Sequence, residues 1–376
     1  MQDLDDIDLY PLKFSVVAKE KVWGGHKLAR LFPRGVPPDR LVGEVWVVWD
    51  QLLVDNGPLR GQKLADLVRS HPAQVLGSRS FDPAQDELAG QTPVFPLLVK
   101  LLDAEDTLSV QVHPDDHYAQ AHEGEPFGKA EAWYILDAVP GAHLIHGVKR
   151  HLTRSETDRA IRTGTLRELM NDVGVNAGDV FMNPAGTIHA LLEGLLLYEI
   201  QQTSDLTYRL YDWDRNDPNR PLHIEKSLDV ADLDPLGQHK VIPMVLKEPG
   251  CTRTLLVACR RFAAELLEVR TQVLELSAGE CFHVLTVLEG SGSVHYGPSL
   301  TQKEGLAQGD SVLIPAGIQK YQLQASGTPL VTIKAWVPDL LQDIVIPLRE
   351  RGISDETIVQ LGGDPRTSDL GTCVHR

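Results

Sequence analysis

Apolar residues recur at every second position in a series of short runs separated by Gly and Pro. GEVWVVWD from Gly43, TLSVQVHP from Thr107, EAWYILDAV from Glu131, FMNPAGTIHAL from Phe181 and LLLYEIQQTS from Leu195 each read as strand. Helical spacing is rarer. KLADLVRSH from Lys63 predicts one helix, and ETDRAIRTGTLRELMND, after the cap-like Ser155, predicts a second that ends near Gly174. Many strands with a few inserted helices predict a β-sandwich or jelly roll, not a parallel α/β sheet.

The pattern also repeats. AGDVFMNPAGTIHAL from Ala177 aligns without a gap on QGDSVLIPAGIQKYQ from Gln308, and EAWYILDAVPGA from Glu131 resembles HVLTVLEGSGSV from His283. Two copies of one β-barrel unit account for both matches, with G-D turning into one strand and P-A-G shaping the next. Two barrels fit a chain of 376 residues, for which about 150 residues per domain gives two to three domains. LDVADLDPLGQHKVIPMV from Leu228 is polar and contains Pro and Gly, so the boundary is placed near residue 240. The expected units are therefore an N-terminal one over 1–240 with helical insertions, a C-terminal one over 241–338, and a tail over 339–376 that loses strand alternation and is expected to pack loosely.

Charge narrows the function. With 36 Lys and Arg against 52 Asp and Glu the formal net charge is −16, a field that repels nucleic acid and anionic membranes. An anionic substrate would need its own cluster of basic residues. Four scattered cysteines without a C-x-x-C pair, and an acidic N-terminus unlike a signal peptide, predict reduced thiols and a cytoplasmic protein.

Chemistry collects in the first copy. Gln111 and His113 at i and i+2 face one side of a strand, Glu131 opens the next, and His189 follows Pro184 by five residues. In the second copy the counterpart of His189 is Lys320 and that of Glu131 is His283. A protonated lysine does not ligate a cation, so a metal site is expected in the N-terminal barrel alone. Two imidazoles, a carboxylate and an amide oxygen suit one Zn²⁺ per chain, with Mn²⁺, Co²⁺ or Fe²⁺ as alternatives, in an open, catalytic site. Nearby are Glu199 and Arg209, and Lys100 interrupts an apolar run. Tyr198, Tyr208, Tyr211 and Trp213 read as packing.

The strings PLLVKLLDAEDTLSVQVHPDD, GKAEAWYIL, FMNPAGTIHAL, YEIQQTSDLTYRLYDWDR and LHIEKSLDV, with VWGG near the start, resemble the type I mannose-6-phosphate isomerases of the cupin superfamily, in particular their bacterial short-chain branch. The resemblance runs from about Lys21 to about Val337. It implies two cupin barrels, the first catalytic and the second degenerate, and interconversion of mannose 6-phosphate and fructose 6-phosphate through a zinc-stabilised cis-enediol. It also implies Gln111, His113, Glu131 and His189 as zinc ligands, Arg209, Lys129 and Glu199 as catalytic residues, and Lys100 and Ser109 near the phosphate. Lys129 or Glu199 is the expected acid/base. The implied partner is a small sugar phosphate, and the protein a monomer or homodimer. The competing readings are a non-catalytic sugar-phosphate-binding or regulatory cupin, against which Lys129, Glu199 and Arg209 argue, and an iron dioxygenase, which the Q-x-H pattern disfavours.

Overall fold

The computed structural model describes residues 7–33, 35–80, 93–215 and 217–374. The fold is mainly β, in four antiparallel sheets that form two cupin-like units. In the first unit the large sheet runs Val180–Asn183, Glu131–Ala138, Leu195–Gln202, Leu97–Ala104 as neighbours. In the second, the order is Ser311–Ile314, His283–Glu289, Leu330–Trp336, Ala263–Val269. The smaller sheets repeat as well: Val110–Val112, His189–Leu191, His143–Val148 in one and Gln272–Leu276, Lys320–Ala325, Ser291–Tyr296 in the other. The repeat seen in the sequence is thus a repeat of strand order.

Alternation explains how one strand serves two interiors. Along Leu195–Gln202, Tyr198 and Ile200 enter the core shared by the two units, while Leu195 and Leu197 line the inside of the first barrel. Glu199 and Gln201 fall on that inner face, because residues two apart share a side. With both faces buried, the strand reads as a nearly continuous apolar run. The shared core draws Val45, Leu101 and Ile200 from one unit and Phe262, Val284 and Ile333 from the other, and the Phe95 and Phe282 rings meet across it at 4.7 Å. Two short strands bind the units together: Leu12–Lys13, near the N-terminus, pairs with Leu313 and Val312 of the second unit, and Lys240–Val241, between the units, pairs with Phe181 and Val180 of the first.

Three local expectations change. The helix expected after Ser155 is Arg154–Arg162, capped by Thr153 in a capping box with Glu156. It stops before Gly164, whose φ of +71° breaks the helix. The remainder forms a short helix, Leu166–Leu169, and then a strand, Met170–Gly174, paired with His143–Val148. The tail is not loose. Leu340, Ile344, Val345, Leu348, Ile358, Leu361 and Leu370 are all buried in the shared core, in helical runs over 340–350, 355–362 and 370–374 that change between π, α and 3-10 turns and so hold no steady helical period. Asp339 caps the first of them, accepting from the backbone N–H groups of Leu341 and Gln342.

Candidate active site

Three rows of side chains, each fixed by strand register, line the inside of the first barrel. Across the smaller sheet Arg209, Gln111, His189 and His146 stand opposite one another. Residues directly opposite in an antiparallel pair share a face, so Gln111 is brought alongside His189. On the facing sheet one row is Asn183, Glu131 and Gln201, and the next is Trp133, Glu199, Lys100 and Trp46.

His113, Glu131 and His189 converge, with one donor atom of each within 4.8 Å of the others. All three side chains are buried. The His113 Nδ1–H donates to the Leu206 carbonyl at 2.8 Å, and the His189 Nδ1–H donates to the Thr187 carbonyl at 2.8 Å. A carbonyl only accepts, so each ring carries its proton on Nδ1 and turns the Nε2 lone pair inward. There His113 Nε2 lies 3.5 Å from Glu131 Oε2, and His189 Nε2 lies 3.2 Å from Glu131 Oε1. Burial, then the neighbouring Lys129, pushes the His113 pKa down to about 3, and burial lowers that of His189. Burial opposes a charge on Glu131, but Lys129 and the two histidines outweigh it and hold the carboxyl well below its ordinary value. Acceptor therefore faces acceptor, and both Glu131 carboxylate oxygens and His189 Nε2 lack a hydrogen-bond partner among the described residues. A buried set of lone pairs that face one another, approached only by the Lys129 Nζ, fits a cation.

Lys129 belongs to the same cluster. Its Nζ is 2.9 Å from Glu131 Oε2 and 3.2 Å from His113 Nε2. Its backbone N–H donates to the Pro114 carbonyl at 3.0 Å, and a Cβ on Gly128 would sit 2.4 Å from that same carbonyl oxygen. Only glycine lets the Lys129 strand approach the His113 turn so closely. Arg209 is half-buried at the mouth, donating from Nε to Ser109 Oγ at 3.1 Å and from Nη1 to the Pro221 carbonyl at 3.0 Å. Ser109 thus holds the guanidinium.

Deeper in, Lys100 Nζ pairs with Glu199 Oε1 at 3.1 Å and lies 5.0 Å from the Trp46 ring centroid, and Trp133 Nε1–H donates to Glu199 Oε2 at 2.9 Å. Burial disfavours the Lys100 charge, yet Glu199 and Glu44 raise its pKa above the ordinary value. Burial also raises the Glu199 pKa. The Lys100 ammonium is spoken for by carboxylates of the barrel wall. Sequence reasoning passed over Asn183, Gln201, Trp133 and Glu44. A signal was there for Asn183, since the aligned position in the second copy is Ile314, and a polar residue replaces an apolar one only where the interior is polar.

The catalytic-domain model of the type I phosphomannose isomerases matches residues 11–138. The chain is 35% identical to mannose-6-phosphate isomerase ManA of Bacillus subtilis over 86% of this chain and 98% of that protein. It is 34% identical to mannose-6-phosphate isomerase of Streptococcus mutans over 83% and 94% respectively. Among solved structures, the mannose 6-phosphate isomerase from Bacillus subtilis superposes with a TM-score of 0.75 at 30% identity, covering 86% of this chain and 99% of its own. Similarity of that extent to whole relatives defines kinship, and with the buried His-Glu-His set in place the chain belongs to the type I mannose-6-phosphate isomerases.

Proposed function

We propose that the chain interconverts mannose 6-phosphate and fructose 6-phosphate in its N-terminal barrel. The observation that carries this reading is the convergence of His113, Glu131 and His189, whose inward atoms share no proton among themselves, with Lys129 against two of them. Gln111, His113, Glu131 and His189 would hold the metal, Zn²⁺ first for this donor set and Mn²⁺, Co²⁺ or Fe²⁺ next. When bound, the dication supplies Lewis-acid stabilisation of negative charge on the substrate oxygens.

The chain's own groups do the rest. A proton leaves carbon 2 of the open-chain aldose, a cis-enediol forms, and a proton returns at carbon 1. Lys129, whose Nζ lies against the ligand set, takes the carbon 2 proton onto its free amine and returns it at carbon 1; acid/base work of this kind is worth about 10²–10⁴-fold. Glu199, engaged by Lys100 and Trp133, fixes the barrel wall behind the reacting carbons. Arg209, oriented by Ser109, places its fork against the developing enediolate oxygen. Ser109, beside Arg209, stands on the phosphate side of the pocket, and Lys100, though paired with Glu199, adds positive potential behind it. Residues 1–240 form the catalytic unit, 241–338 a barrel without the ligands, and 339–376 the segment that closes the core. The enzyme works in the cytoplasm on a small sugar phosphate.

The test is a coupled assay for fructose 6-phosphate formed from mannose 6-phosphate, run on protein as purified, after a chelator, and after Zn²⁺ is restored. Activity should fall with chelation and return with zinc. Absence of turnover with every metal would leave a sugar-phosphate-binding module instead.

A further inference from the structure

The second barrel has kept a polar interior where the first keeps its chemistry. Strand register gives the equivalences directly. Glu131, opposite Asn183, corresponds to His283, opposite Ile314; the opposed pair Lys100 and Glu199 corresponds to Glu265 and Lys334. In the smaller sheet the inward-facing opposed pair is Glu275 and Tyr321 where the first barrel has Gln111 and His189, since Leu276 and Lys320 face outward, and Ser277 stands two residues on where the first barrel has His113. The metal ligands are gone, but the buried ion pair persists with its charges exchanged: Lys100 to Glu199 at 3.1 Å in one barrel, Lys334 to Glu265 at 2.6 Å in the other.

These positions surround a cavity of about 410 Å³ at the barrel mouth, within the size range of small-molecule sites. Of its lining, Glu265, His283, Lys334 and Trp336 are each more than nine-tenths buried, and Glu275, equally buried, stands behind them against Lys334 and Arg253. Arg253 ties Glu265 and Glu275 together, reaching Glu275 Oε1 at 2.5 Å. His283, on the cavity wall, bonds the Tyr321 hydroxyl through Nδ1 at 3.0 Å. The outer wall comes from the C-terminal segment, with Asp343 paired to Arg79 and Arg351 paired to Glu248 at 3.0 Å. Burying charges is costly, and an apolar filling of the same volume is often at least as stable. A barrel needed only for support has no reason to keep four of them around a void.

We propose that this mouth is a metal-free binding site for a neutral polyhydroxyl ligand of single-sugar size. The wall sets the class. Two cations, Arg253 and Lys334, balance two carboxylates, Glu265 and Glu275, so a metal ion would meet fixed positive charge and an anion fixed negative charge. Hydroxyl groups donate and accept, and vicinal pairs match both the guanidinium fork and the carboxylate. Trp336, with Leu246 and Leu255, offers an apolar surface for the C–H face of such a molecule.

The test is isothermal titration of the intact, metal-loaded protein with D-mannitol, myo-inositol and D-glucose, and separately with inorganic phosphate. Leu276→Trp places an indole across the mouth at a residue that is 65% exposed, and so preserves the fold. His283→Leu removes the polar group from inside. At least one of the three polyols should bind with one equivalent per chain. His283→Leu should weaken that binding about tenfold or more, the loss of one buried hydrogen bond, and Leu276→Trp should weaken it at least as much by obstruction, with isomerase turnover unchanged in both. Failure of all three polyols to bind, binding unaltered by Leu276→Trp, or binding of phosphate in their place would each overturn the proposal.

Discussion

Replacing Lys100 by Met tests how the catalytic barrel holds its buried charge. The Lys100 ammonium and the Glu199 carboxylate are both buried and 3.1 Å apart. At an effective dielectric of about 20 their attraction is about 5 kcal/mol, and removing one partner of a buried pair typically costs about 3–5 kcal/mol. Glu199 has one escape, which is to take up a proton. Burial already raises its pKa, and Lys100 is the strongest influence opposing that rise. In Lys100→Met the folded-state pKa climbs further, while the unfolded value stays at about 4.3. Between the two, the folded variant holds a proton that the unfolded chain has released, so its stability falls as pH rises, by about 1.4 kcal/mol per pH unit. The deficit against the parent protein should therefore be small at about pH 5 and reach about 3–5 kcal/mol at about pH 8. Adding Glu199→Gln should recover most of it at the higher pH, since no charge is then left alone. Urea unfolding followed by tryptophan fluorescence at the two pH values measures all three proteins. A deficit below about 1 kcal/mol at the higher pH, or one that does not shrink at the lower, would refute the reasoning.

His113→Ala and His189→Ala should lose bound metal and turnover together, as read by elemental analysis of the purified protein beside the coupled assay. Arg209→Ala should keep its metal and lose about 10²–10³-fold in kcat; because Nε and Nη1 are committed to Ser109 and Pro221, Arg209→Lys should recover little. Gly128→Ala would drive a Cβ into the Pro114 carbonyl oxygen at 2.4 Å, so metal content and kcat should both drop while far-UV circular dichroism stays that of a folded β protein. Leu348→Ala, in the C-terminal segment, should cost about 2–5 kcal/mol in denaturant unfolding, whereas Leu274→Ala at an exposed strand position should stay within about 0.5 kcal/mol.

What could be read from the chain followed from length scale. Strands of seven or eight residues such as Glu131–Ala138 and Leu195–Gln202 carry enough alternation to be seen, and the repeated G-D and P-A-G turns brought Gln111, His113, Glu131 and His189 into one barrel. The C-terminal helical segments were illegible because their turns change type within a run, from π to α after Val345 and from α to 3-10 after Val359, and their apolar residues owe their burial to a core assembled from both barrels. Gly164 was missed as a helix stop because it follows a run whose apolar spacing continues to Leu169. The least legible feature was the inner polar wall. Lys100 and Glu199 are 99 positions apart in number and become neighbours only through the register of two strands, so no local window joins them. Comparing the copies recovers what a window cannot. Asn183 against Ile314, Lys100 against Glu265 and Glu199 against Lys334 are the positions at which two barrels of the same strand order part company, and all of them face a barrel interior. In a duplicated fold the residues that keep the barrel standing stay alike in character between copies, because both must solve the same packing problem. The residues that differ in charge are free of that constraint, and they mark where each copy does its own chemistry.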